Sequence, residues 1–298
     1  MKQAKHLQKG DKIAIVATAR KAFPEELEYA IKVVASWRSE VVLGESIGAE
    51  FHQFAGTDEH RAKDFQNQMD NPDIRAIWIA RGGYGSVRIL DKLDFSNFAE
   101  NPKWIIGYSD ITVLHTQAHN LGIQSLHAQM PVAMDTKTPE SAESLRRLLF
   151  GEPYCMEFKA DNPLNKEGTA EGILIGGNLS MLYSICGSDA QVDTQDKILF
   201  IEDLDEYLYH IDRMMQNLKR NGMLKNIKAL LVGGMTEMHD NAIPFGFNAQ
   251  EIVSQYINQD IPVVFDFPAG HIENNLALQF GAKVSLSLKD KNFKLDYI

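Results

Sequence analysis

The chain has 298 residues, which is long for one core and natural for two domains. Hydrophobic residues at 44% and charged residues at 23% are ordinary for a globular protein, and no window is apolar over the length a membrane span needs. The formal net charge of −10 argues against nucleic acid as a partner, yet a small anionic ligand needs only one local basic residue.

Cys155 and Cys186 lie in no CxxC or other metal-ligand spacing, so no disulfide framework is expected. After the basic start at Met1–Lys5, the first apolar run, Ile13–Ala17, is too short for a signal core and follows Gly10-Asp11-Lys12. It reads as a first strand, and the expected location is the cytoplasm.

Lys12–Thr18 is the first expected strand. Pro24-Glu25-Glu26 opens a helix with Leu27, Ala30, Ile31, Val34 and Trp37 on one face. A short strand follows at Glu40–Leu43, then a polar helix from an N-cap at Thr57 to about Met69, ended by Asn71-Pro72. Ile74–Ala80 is an apolar strand running into Arg81-Gly82-Gly83-Tyr84-Gly85 and a helix with Val87, Ile89 and Leu90. Lys103–Ile106 is a short buried strand, Gly107 a tight turn, and a helix begins at Ser109 or Asp110. A further strand is expected near Ile123–Leu126, and a helix over Pro139–Phe150. Strands alternating with helices predict an open parallel α/β sheet with flanking helices over 1–150.

Glu157–Gly168 lacks periodicity and is rich in turn formers, so 151–168 is expected as a linker. The second domain, 169–298, is expected to be α/β with mixed β-structure. Its strands are Thr169–Ile175, Lys197–Ile201, Ile227–Val232 and Pro262–Phe265, with helices after Gly176-Gly177-Asn178, over Tyr207–Asn221 and over Asn248–Ile257. Lys283–Leu288 and Phe293–Ile298 alternate as a terminal hairpin.

Three groups follow the carboxyl ends of expected strands, where open α/β sheets bind ligands: Ser109, Glu202 and His271. A hydroxyl, a carboxylate and an imidazole are the parts of a nucleophilic triad, since serine needs a base and the carboxylate fixes that base's tautomer. Ser109 at a helix start also lies over unpaired N–H groups suited to an oxyanion; the plain alternative is that Ser109 or Asp110 caps the helix. Asp203, Asp205 and Glu206 compete with Glu202 for the carboxylate role.

Arg81–Gly85 has neither GxGxxG spacing nor a following Lys-Ser/Thr, so a nucleotide site is weakly supported, although a glycine pair after a strand can present an N–H to a ligand. His115 and His119 have an i, i+4 zinc spacing but no HExxH glutamate or nearby cysteine. The 203–206 carboxylates lack a calcium-loop pattern. No metal and no cofactor are expected.

Five elements in order carry a family resemblance: Arg81-Gly82-Gly83-Tyr84-Gly85 with Arg88, Leu90 and Leu93-Asp94; Gly107-Tyr108-Ser109-Asp110-Ile111-Thr112 with Leu114-His115; Gly176-Gly177-Asn178-Leu179-Ser180; Phe200-Ile201-Glu202-Asp203 with Tyr209 and Ile211-Asp212-Arg213-Met214; and Gly270-His271 with Asn275 and Gly281. On these the chain resembles the LD-carboxypeptidases (muramoyltetrapeptide carboxypeptidases), serine peptidases of cell-wall peptides. The resemblance implies Ser109 as nucleophile, Glu202 as carboxylate and His271 as base, with the site completed where the domains meet. It also implies an oxyanion hole from the N–H groups of Asp110 and Gly83, and substrate contacts from Arg81, Gly82 and Tyr84. A muropeptide substrate, a homodimer and a role in peptidoglycan recycling follow by the same resemblance. Two departures, Ala128-Gln129 where relatives carry Gly-Pro and Ala17–Arg20 where they carry a Pro-Ser turn, bear on substrate details. The alternatives are a hydrolase of a peptide–nucleotide antibiotic that confers self-immunity, and a non-catalytic muropeptide-binding protein.

Overall fold

The computed structural model describes residues 1–257 and 260–298. The chain forms two compact units, Met1–Pro153 with Glu273–Gln279, and Tyr154–Ile272 with Phe280–Ile298.

In the first unit, β1 (Lys12–Val16), α1 (Glu28–Ser36), β2 (Glu40–Leu43), α2 (Asp58–Asp70), β3 (Ile74–Ile79), α3 (Ser96–Glu100), β4 (Trp104–Gly107), α4 (Thr112–Asn120), β5 (Ser125–His127) and α5 (Pro139–Phe150) follow one another. β5, β4, β3, β1 and β2 lie side by side, every pair parallel. β3 and β4 are buried along nearly their whole length, as their apolar runs, interrupted in β3 only by the exposed Arg75, require of strands covered on both faces. Helix ends follow local chemistry: the Thr57 hydroxyl accepts from His60 N at 3.2 Å, and α5 starts at Pro139 and stops at Gly151 with φ +69°. β5 begins two residues later than the sequence predicts, because Ile123 instead bridges to Lys2.

The second unit holds β6 (Cys155–Lys159), β7 (Gly168–Asn178), α6 (Leu179–Ser184), β8 (Ile198–Leu204), α7 (Leu208–Arg220), β9 (Ala229–Thr236), α8 (Ala249–Ser254) and β10 (Val263–Val264). After β11 (Leu278–Phe280), which lies beside β5 in the first sheet, β12 (Lys283–Lys289) and β13 (Asn292–Tyr297) complete the second. That sheet runs β10-β9-β8-β7-β12-β13-β6, parallel from β10 to β7 and antiparallel from β7 to β6. On α7, Ile211, Met214, Met215 and Leu218 are fully buried, as their helical spacing predicts. The β12–β13 hairpin turns on Asp290 and Lys291, both at positive φ as a two-residue turn of this hand requires.

The structure departs from the sequence reading at further points: the residues after Arg81–Gly85, expected as a helix, form two short 3-10 turns, Ser86–Arg88 and Leu90–Lys92. Part of the expected linker is β6: Met156 and Phe158 face inward from an edge strand, a period of two too short to stand out among turn formers. β7 continues through Gly176-Gly177-Asn178, expected as a loop. Gly176, at φ +137°, passes so near β8 that a Cβ would lie 1.8 Å from the Phe200 carbonyl oxygen. Finally, Glu273–Gln279 packs with the first unit although it falls inside the expected 169–298 domain.

Candidate active site

In the first unit the chain leaves β4 at Gly107, is extended at Tyr108 (φ −149°), and turns sharply at Ser109, whose φ is +64°. A turn of 3-10 helix over Ser109–Ile111 leads directly into α4. A left-handed serine costs of order 1–3 kcal/mol and persists only where its surroundings enforce it. Gly107 permits the turn, since a Cβ there would lie 2.8 Å from Ile111 Cγ1. The Gly107 carbonyl accepts from Ala128 N at 3.0 Å and is bonded to His115 Nε2 at 2.9 Å. A carbonyl only accepts, so Nε2 carries the proton and Nδ1 receives the Ser125 hydroxyl at 2.8 Å. Burial pushes His115 down to about 4, which keeps the ring neutral. His115 thus fixes the turn and is not presented to a metal alongside His119.

Neither Ser109 nor Asp110 caps the helix through its side chain. The buried Asp110 carboxylate instead accepts from Ser86 N at 2.8 Å and from Gly85 N at 3.4 Å, joining the glycine loop to the serine turn. Burial raises the Asp110 pKa, and its bonds to Ser86 and Gly85 and the charge of Arg61 oppose that rise. Arg61 is itself buried; it donates to the Thr18 carbonyl, to the Gly85 carbonyl at 3.0 Å and to Asp58. Gly82 packs against the turn, where a Cβ would stand 3.3 Å from Ser109 Cβ and 3.4 Å from Asp110 N. The N–H groups of Asp110 and Gly83 find no acceptor among the described residues. For Asp110, which is only 1% exposed, an unanswered N–H is uncommon. Arg81 points toward the Lys21 carbonyl and Glu26 Oε1, each at 3.4 Å, and Tyr84 is exposed with its ring tilted against Phe54.

In the second unit the buried Glu202 stands near the end of β8, where the register against β9 shifts between Ile201 and Asp203. Such irregularities re-aim a side chain. The Glu202 Oε2 atom accepts from His271 N at 3.1 Å and meets His271 Nδ1 at 2.6 Å, while Oε1 accepts from Asn178 Nδ2 at 3.3 Å. A neutral His271 therefore carries its proton on Nδ1, leaving Nε2 as the basic nitrogen. Gly270, at φ +102°, lets the chain pass over the carboxylate; a Cβ would fall 2.7 Å from Glu202 Oε2.

Asp203, a rival for the carboxylate role on sequence, turns the other way. It accepts from Asn178 Nδ2, Ser180 N and Leu204 N, each at 2.9 Å. Burial, then the charge of Glu202, push it up to about 7. Asp205 and Glu206 bond His239 and His210, each at 2.5 Å. Among the described residues no group of three or more His, Cys, Asp or Glu side chains could hold a metal ion.

A serine on a strained strand-to-helix turn and a carboxylate-bound imidazole, each at the carboxyl end of parallel strands, are the furnishings of an α/β serine hydrolase. Comparison with known proteins narrows the class. Residues 13–128 match the LD-carboxypeptidase N-terminal domain and residues 171–286 the LD-carboxypeptidase C-terminal domain. The chain belongs to the LD-carboxypeptidase family and is a serine-type peptidase. It is 34% identical over 298 residues to a probable murein peptide carboxypeptidase of Bacillus subtilis (strain 168), covering 96% of this chain and 92% of the relative. The crystal structure of muramoyltetrapeptide carboxypeptidase from Oxalobacter formigenes superposes with a TM-score of 0.86 at 29% identity, covering 96% of this chain and 98% of that one. The microcin C7 self-immunity protein MccF of Escherichia coli is 28% identical over 290 residues, covering 86% of this chain and 83% of its own.

Proposed function

We propose that this peptidase releases the terminal D-alanine of cell-wall muramoyl tetrapeptides by cutting the bond that joins it to the L-centre of a diamino acid. Ser109 Oγ attacks the scissile carbonyl carbon while His271 Nε2 takes the hydroxyl proton, and Glu202 holds the resulting imidazolium through Nδ1. The N–H groups of Asp110 and Gly83 receive the oxyanion, with Gly82 keeping that space open. Collapse of the tetrahedral adduct passes the His271 proton to the leaving amine. Water, deprotonated by the same imidazole, then hydrolyses the acyl-enzyme and restores Ser109.

The buried, unanswered Asp110 N–H beside a serine at φ +64° is the observation that carries the nucleophile assignment. The Glu202–His271 bond supports the other two roles, and the names of the relatives support the substrate. In this reading the enzyme works on recycled peptidoglycan fragments in the cytoplasm, as a homodimer, without metal or cofactor. No helix among the described residues is long and apolar enough to cross a membrane.

The test is release of D-alanine from a muramoyl tetrapeptide by the wild type and by Ser109→Ala. The variant is expected to fold normally and to lose activity by roughly 10⁵-fold or more. Full activity in Ser109→Ala overturns the triad. The similarity to the self-immunity protein makes a peptidyl-nucleotide the second substrate to assay. Cleavage of that compound and not of the tetrapeptide replaces the substrate proposed here, and cleavage of neither favours a binding protein.

A further inference from the structure

A carboxypeptidase must recognise a free carboxylate very near the bond it cuts. In the departing amino acid only the amide nitrogen and Cα separate that carboxylate from the scissile carbon. The group that reads it must therefore lie beside the serine turn, and the glycine loop packs against that turn at Gly82.

Five cationic side chains come from this loop or the segments packed on it, and four are committed. Lys21 pairs with Glu50 at 2.5 Å, Arg61 with Asp58, Arg81 with Glu26 at 3.4 Å, and Arg88 with Asp58 at 2.7 Å. The fifth is Arg20. It is exposed, and among the described residues its guanidinium has neither a carboxylate nor a hydrogen-bond acceptor.

Arg20 is also well placed. Its backbone is fixed by an antiparallel bridge to Phe54, flanked by Ala55 N to Ala19 O at 3.1 Å and Lys21 N to Gln53 O at 3.1 Å. The stem lies over Gly83, where a Cβ would be 2.1 Å from Arg20 Cδ and 3.3 Å from Arg20 Nε. Gly83, at φ +104°, is thus bare on the side that carries the arginine, and its neighbour Gly82 touches Ser109. The aliphatic stem packs on backbone while the charged head stays open. In a chain of net charge −10, an uncompensated guanidinium at this spot is a specific feature.

We infer that Arg20 binds the free α-carboxylate of the departing D-amino acid and so restricts the enzyme to the chain terminus. A guanidinium offers two parallel N–H donors that match a carboxylate, which a lysine cannot reproduce. Arg81, the arginine within the loop motif, is drawn off by Glu26 and the Lys21 carbonyl. This inference rests on the carboxypeptidase reading given above.

The experiment compares a muramoyl tetrapeptide with its C-terminal amide, for the wild type, Arg20→Lys and Arg20→Met. The wild type is expected to prefer the acid. In Arg20→Met, kcat/KM on the acid should fall about 10- to 100-fold and the acid-over-amide preference should collapse, with Arg20→Lys between. Unchanged cleavage of the acid by Arg20→Met overturns the inference. So does an equal loss on acid and amide, because that reports only lost packing on Gly83. If the wild type cuts neither peptide, the carboxypeptidase reading itself has failed and the role of Arg20 falls with it. That outcome is seen in the wild type alone and is distinct from the other two.

Discussion

The end of β4 and the end of β8 each present a group proposed for catalysis, and they do so by different means. At β4 the device is backbone: Ser109 sits at φ +64°, Gly107 allows the turn, and Gly82 approaches so closely that a Cβ would touch Ser109 and Asp110. At β8 the device is side-chain hydrogen bonding around buried charge. Glu202 accepts from His271 and Asn178, and Asp203 accepts from Asn178 and two backbone N–H groups. A serine hydroxyl needs placement more than electrostatic support, and strained backbone places it rigidly. A base needs its tautomer and charge managed, and only neighbouring acceptors can do that. The first region should therefore be sensitive to added volume, and the second to altered charge as well as to volume at Gly270.

The sharpest way to break this contrast is Gly82→Ala. Its Cβ would stand 3.4 Å from Asp110 N, in the space proposed for the oxyanion, so Ser109 and Asp110 must give by a few tenths of an ångström. Loss of one such donor typically lowers kcat by about 10²–10³-fold. We expect a fall of that order in D-alanine release, a nearly unchanged KM, and little change in melting temperature, since Gly82 is not at positive φ. Wild-type kcat in this variant would remove the glycine loop from the oxyanion hole.

A smaller effect is expected from Asp203→Asn, and it should depend on pH. Asp203 is raised from 3.8 to about 7, chiefly by burial and then by Glu202. Between those values the folded protein holds a proton that the unfolded chain has released. Stability attributable to this group therefore declines as pH rises through that window and levels off above it. The neutral amide is free of that penalty but loses one acceptor. The gain in melting temperature on substitution should thus be larger at about pH 8 than at about pH 5. An equal change at both would mean that Asp203 is ionised in the folded protein throughout.

What the sequence discloses about these regions follows the same division. The apolar cores of β3, β4, β8 and β9 were legible, and the end of β4 puts Ser109 just after a strand, but β8 and β9 run on past their apolar residues to Leu204 and Thr236, so Glu202 lies inside its strand and not after it. The hairpin at Asp290-Lys291 was legible from its alternation. Backbone torsion was not: nothing in Tyr108-Ser109-Asp110 distinguishes a left-handed serine from an ordinary cap, and the plain reading of a cap proved wrong. Long-range pairing was hidden too. Asp110 reaches back to Ser86, His115 to the Gly107 carbonyl, and Arg61 to Thr18, and each bond depends on which loops the sheet order brings together. Arg20, without a partner among the described residues, is the extreme case, since a cation is identified as uncommitted only after the partners of its neighbours are known.

The smallest expected effect tests the strain itself, using two variants that both lack the hydroxyl. Ser109→Ala keeps a Cβ at φ +64°, whereas Ser109→Gly removes it. An L-residue in the left-handed region costs about 1–2 kcal/mol relative to glycine, and glycine's greater freedom in the unfolded chain takes back about 0.5–1 kcal/mol. Ser109→Gly should therefore unfold at higher denaturant than Ser109→Ala, by a difference near 0.5–1 kcal/mol. Because neither variant can acylate, chemistry cannot contribute to that difference. At Gly270 the reverse substitution adds a Cβ at φ +102° and drives it into Glu202, so Gly270→Ala should destabilise by more than the Ser109 pair differ. If Ser109→Ala is as stable as Ser109→Gly, the serine turn is not strained, and the β4 end is held by packing and hydrogen bonds as the β8 end is.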